Sequence, residues 1–167
     1  MKTPILLTAA IAGVLAFRSA PIQEGPARRA DLPASVSSVD QALADRDGAT
    51  AMRMWNDAYR AALRGGRWED LTQVGDAYRR IGEVMGSQET FDGRAREVYR
   101  QGLYRARQQA SLDGVLTVAE ALAALGDREG VEQSIRVAER LAGPDSERLA
   151  EVRAVRARLA NLERGDE

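Results

Sequence analysis

A chain of 167 residues, 44% hydrophobic and 29% charged, suits one folded unit or a short array of repeats rather than two ordinary domains. Its 24 basic and 25 acidic residues nearly cancel, leaving a formal net charge of -1 and no whole-molecule field to draw it to nucleic acid. It has no histidine and no cysteine, which removes imidazole and thiolate catalysis, disulfides and the usual zinc ligands, and no cofactor is expected.

The chain opens with Lys2, an apolar run from Pro4 to Phe17 and then Arg18, the anatomy of a bacterial export signal over residues 1–20. The same run could persist as an N-terminal membrane anchor, tethering the protein through residues 4–17. Either way the remainder is expected in the periplasm, or on the inner membrane facing it. Lys2 is the only lysine, so the folded part has none for a phosphate loop or a Schiff base. Residues 21–37 hold Pro21, Pro26 and Pro33 among small residues without periodicity, and read as a flexible linker.

From Ser38 to residue 163 amphipathic runs alternate with short breakers, and aromatics are only 5% of the chain, so an all-α domain of seven helices is predicted. Ser38-Val39-Asp40-Gln41 has the form of a capping box opening the first. The second carries Ala51, Trp55, Ala58 and Ala62 on one face, and Arg64-Gly65-Gly66-Arg67 turns the chain. Leu71, Val74, Tyr78 and Ile81 stripe the third, which Gly86-Ser87 ends. The fourth has Phe91, Ala95, Val98, Tyr99, Leu103 and Ala106; the fifth Val115, Val118, Leu122 and Leu125; the sixth Val131, Ile135, Ala138 and Leu141. Gly143-Pro144-Asp145-Ser146 stops the sixth and caps a seventh with Leu149, Val152, Val155 and Leu159.

These runs repeat. The segment from Leu71 to Glu83 aligns with that from Val115 to Asp127 at an offset of 44, setting Gly75 on Ala119 and Gly82 on Gly126. The run from Asp47 aligns with that from Asp127 at an offset of 80, setting Trp55 on Ile135 and Ala58 on Ala138. The pattern resembles the tetratricopeptide repeat, which implies a right-handed superhelix of three helical hairpins (about 32–67, 68–111 and 112–145) and a capping helix over 146–163. Eight residues, about Met85 to Asp92, are extra in the middle repeat. Glycine inside a helix costs about 1 kcal/mol against alanine, so Gly75 is expected where two helices of a hairpin cross and Gly82 at the hairpin's turn.

The resemblance also implies a protein or peptide partner, held in a groove lined by the first helix of each hairpin. Its ninth repeat position falls on Asp40, Asp76 and Glu120, an acidic line that Glu69 and Asp113 would reinforce, with Thr72 on the same surface and Arg79 and Arg80 toward one edge. Such a line would favour a basic partner. The family's carboxylate clamp needs Lys, Arg and Asn there, and this chain departs from it. Arg94, Arg96, Arg100, Arg105 and Arg107 make the fourth helix basic, either as a solvated face or as a site for an acidic partner or lipid headgroup. Trp55, Tyr78 and Tyr99 fall on packing positions, leaving Trp68 and Tyr104 freer. No carboxylate pair here suits acid–base chemistry, so the expectation is a binding scaffold and not an enzyme. A structural or self-associating subunit of an envelope complex, without a peptide groove, is the alternative.

Overall fold

The computed structural model describes the backbone of residues 27–165 and the side chains of residues 36–161. The protein is all-α: α1 (Ala27–Ala44), α2 (Gly48–Gly65), α3 (Trp68–Met85), α4 (Gln88–Gln108), α5 (Leu112–Ala123), α6 (Arg128–Ala142) and α7 (Ser146–Gly165). The export segment, residues 1–20, lies outside the described residues, and among those described no helix is long and apolar enough to cross a membrane.

Four helices, α2, α5, α6 and α7, begin at a side chain that satisfies one of their free N–H groups. Asp47, Ser111 and Asp127 accept from the backbone N–H three residues on, at 2.9 to 3.0 Å. Asp145 does the same for α7, through the N–H groups of Glu147 and Arg148. The helix ends are alike too. Arg46, Gly66, Gly86, Ala110 and Gly126 have φ between 50° and 70°, and each stands two residues before the next helix. In four of these turns the following N–H bonds to a carbonyl five residues back, Asp47 to Ala42, Ser87 to Gly82, Ser111 to Ala106 and Asp127 to Leu122. That is the Schellman closure, which recovers carbonyls the helix end would otherwise orphan.

Uniform turns make the sequence offsets structural: α3 and α5 start 44 residues apart, and α2 and α6 start 80 apart. Helices pair as α1 with α2, α3 with α4 and α5 with α6, and consecutive pairs stack. The odd-numbered helices touch in succession from α1 to α7. On the other side α4 approaches α6 only lightly, and α2 and α4 share no close backbone contact. One core pool joins α1, α2 and α3 with Val98; another runs from Ala95 to Leu159 through α4 to α7; Tyr78 packs against both.

Two expectations need correction. The linker expected over residues 21–37 is helical from Ala27, and Ser38 lies inside α1 rather than at its start. Val39, Ala42 and Leu43 bury the C-terminal half of α1. Once that half is nucleated, each further residue adds a hydrogen bond, and Pro33 in the second turn deprives only one carbonyl of its donor. Residues 21–26 lie outside the described residues. Second, Gly82 is not a turn residue: α3 continues past it to Met85, and Gly86 makes the turn that Gly126 makes in the next hairpin. The eight extra residues therefore lengthen both helices of the middle hairpin, by four residues before the turn and four after, a little over one turn each. Phe91, from the added turn of α4, closes over Gly82, where a Cβ would stand 2.6 Å from the Phe91 Cβ.

Candidate protein-binding site

The three acids of the expected groove are brought to the odd-numbered helices, but each is engaged within the chain. Asp40 on α1 receives Arg80 of α3 at 2.9 Å. Glu120 on α5 is paired with Arg158 of α7. Both pairs are substantially exposed, so each contributes about 0–1 kcal/mol, and their effect is to tie one odd-numbered helix to the next. Asp76 turns into its own hairpin and accepts the Tyr99 hydroxyl at 2.6 Å. Burial, and then the Asp76 carboxylate, hold the Tyr99 phenol well above the ordinary tyrosine range, while half-buried Arg79 beside it acts in the opposite sense. The Nε of Arg79 is buried without a hydrogen-bond partner among the described residues.

The remaining groove residues do not extend an acidic line. Glu69 pairs with Arg67 at 3.3 Å, Thr72 is buried and donates to the Trp68 carbonyl at 3.0 Å, and only Asp113 stands exposed without a recorded ion pair among the described residues. The free acidic line is thus replaced by a row of internal ties. Among the described residues no group of three His, Cys, Asp or Glu is placed to hold a metal ion.

The basic face of α4 is also partly committed. Arg100 and Arg96 converge on the Asp127 Oδ2 at 3.0 and 3.4 Å, while the Asp127 Oδ1 caps α6. The Asp127 side chain is only 7% exposed, so two arginines of one hairpin hold the turn of the next around a buried carboxylate. Trp68 is not free either: it packs on Gly114, whose absent Cβ would lie 2.7 Å from the indole.

Sequence reasoning missed the space between α2 and α4. Its lower half is filled with aromatic rings. Trp55 stacks on Tyr59 and tilts against Tyr78, Tyr78 meets Phe91, and Arg94 lies 5.3 Å over the Tyr59 ring. The Trp55 indole donates to the Val74 carbonyl at 2.8 Å, satisfying its one polar atom. Above that plug the space opens into a cleft of about 470 Å³, with Leu71 at its base, Leu63 on the α2 side and Tyr104 on the α4 side. It is bounded at one end by the Tyr59 hydroxyl bonded to Gln101 at 3.1 Å, and at the other by Gln109 donating to the Gly66 carbonyl at 2.9 Å. Leu63 is 40% exposed and Tyr104 58%. The only signal in the sequence was that Leu63 and Tyr104 stand off the core stripes of their helices.

Comparison of the chain with protein-family models, with curated proteins and with solved structures finds no match.

Proposed function

We propose that this protein is a tetratricopeptide-like scaffold that binds another protein in the bacterial cell envelope. The observation that carries the reading is the recurrence of one hairpin: helix starts 44 and 80 residues apart, the same left-handed turn residue two positions before the next helix, and odd-numbered helices stacked in succession. A stack of such units presents long continuous surfaces on both sides, and protein recognition is what that geometry suits. Export or anchoring through residues 1–20 belongs to the same proposal and rests on the apolar run from Pro4 to Phe17.

The test uses the full chain, tagged at its C-terminus, as bait in a mild detergent extract of the envelope, followed by mass spectrometry. A stoichiometric partner recovered by the intact chain, and lost with a variant lacking α5 and α6, supports the scaffold. Recovery of nothing but the bait overturns it. A C-terminal alkaline phosphatase fusion should be active, and an inactive fusion at normal expression rejects the envelope location.

A second reading is a self-associating structural subunit, which would use the cleft between α6 and α7 at one end of the stack, where Val131 lies over buried Ile135 and Leu159 among Glu132, Arg136 and Arg156. Sedimentation over a dilution series separates the two: a monomer throughout supports the scaffold, and concentration-dependent assembly supports the subunit.

A further inference from the structure

We propose that the cleft between α2 and α4 docks an acidic segment of a partner protein, which seats one bulky apolar side chain between Leu63 and Tyr104. The inference rests on the scaffold reading above and names the surface and the chemistry of what it takes.

The shape argues for a single anchoring side chain. Because α2 and α4 share no close backbone contact, a gap runs between them, and the rings of Trp55, Tyr59, Tyr78 and Phe91 with Arg94 fill only its lower half. The upper half stays open between two fixed hydrogen bonds, Tyr59 to Gln101 and Gln109 to Gly66. A short window with an apolar base and two apolar sides accommodates one Leu, Phe or Trp side chain better than a whole helix. Buried anchors of this kind dominate binding energy at protein interfaces. The cleft's volume lies within the range of ordinary ligand pockets, about 300–1,000 Å³.

The charge argues for an acidic partner. Glu97, the one carboxylate lining the cleft, is neutralised by Arg94 at 2.5 Å, and Arg100 by Asp127 at 3.0 Å. Arg105 bonds to the neutral amide oxygen of Gln108 at 3.3 Å and makes no ion pair among the described residues. With Arg100 and Arg105 set against the single carboxylate of Glu97, the side chains lining the cleft are net positive around an apolar centre. Tyr104 is held upright by the Gln108 side-chain amide, which donates to its hydroxyl at 3.0 Å, so its ring is already positioned before anything docks.

The experiment selects a random peptide display library on the full chain and measures enriched sequences, as fluorescein-labelled peptides, by anisotropy. Enrichment of one bulky apolar residue flanked by Asp or Glu is expected. Tyr104→Ala and Arg105→Glu should each weaken such a peptide roughly tenfold or more, equivalent to about 1.4 kcal/mol. Both sites are at the surface, and unchanged thermal melting will show that the variants fold. Enrichment of basic peptides, no enrichment, or peptides indifferent to both substitutions overturns the proposal. So does a dimer that Tyr104→Ala dissociates, since a second copy would then occupy the cleft. The extract experiment with the intact chain is scored independently of Tyr104, so failure here and failure of the scaffold reading are told apart.

Discussion

The ring of Tyr99 occupies the space left by the missing side chain of Gly75. A Cβ built on Gly75 would stand 2.8 Å from the Tyr99 Cδ1 and closer still to Cε1, while the same ring carries its hydroxyl on to the carboxylate of Asp76. A glycine inside α3 is thus the condition for a tyrosine inside α4, and a ring rather than a bare backbone makes the close approach between the two helices.

Gly75→Ala should therefore destabilise the fold by about 1–3 kcal/mol through overpacking, despite alanine's better helix propensity. Gly93→Ala is the control, because nothing lies within 4 Å of a Cβ there. It should stabilise by about 0.5–1 kcal/mol. Urea denaturation of the two variants checks this, and equal shifts would reject the contact.

Tyr99 should resist ionisation for as long as the fold holds it. Its folded pKa is raised, so its contribution to stability is complete below the unfolded value of about 10 and is lost as pH rises beyond that. A difference absorbance titration of the protein against Tyr99→Phe should show the Tyr99 phenolate appearing only together with alkaline unfolding. A Tyr99 phenolate that forms while the helices are intact would contradict it.

Asp47 and Asp127 occupy equivalent caps, yet only Asp127 is buried and joined to another hairpin. Asp127→Ala should cost about 1–3 kcal/mol, because it removes a cap and leaves Arg96 and Arg100 without their shared partner. Asp47→Ala should cost less. The Thr50 hydroxyl and backbone N–H lower the Asp47 pKa, so its contribution is present above the unfolded value, about 3.9, and fades as pH falls through the folded one. Asp47→Asn, which keeps the cap without the charge, should flatten that acid limb in melts recorded from neutral pH downward.

Ala110 holds φ at 50° in a turn where Gly66 and Gly126 hold nearly the same angle elsewhere. An L-residue there carries about 1–2 kcal/mol of strain, against which glycine's extra unfolded entropy must be set. Ala110→Gly should gain about 0.5–1 kcal/mol net. Ala157→Gly, in the exposed face of α7, should lose about 1 kcal/mol. Thermal melts of the pair give the signs directly.

Much of this architecture is legible in the amino-acid sequence alone. Trp55, Val74, Val98, Val118, Ile135 and Val152 each belong to an apolar stripe of their own helix and all are buried, because a helix that must cover a core has to repeat apolar residues every three to four positions. Turn glycines and capping acids mark the same helix boundaries, and the offsets of 44 and 80 follow from one hairpin unit repeated with eight residues added to the middle copy. Charged residues obey no such rule. Asp40 meets Arg80, Asp76 meets Tyr99, Glu120 meets Arg158 and Asp127 gathers two arginines, each across 23 to 40 residues of chain. On an exposed helix face a carboxylate satisfies the local pattern whichever way it points, so only the stacking of hairpins decides which arginine reaches it. The open upper half of the α2–α4 gap belongs to that second class: it exists because the backbones of two helices that are not neighbours in sequence stay apart, and the rings of Trp55, Tyr59, Tyr78 and Phe91 fill only the lower half of the space between them.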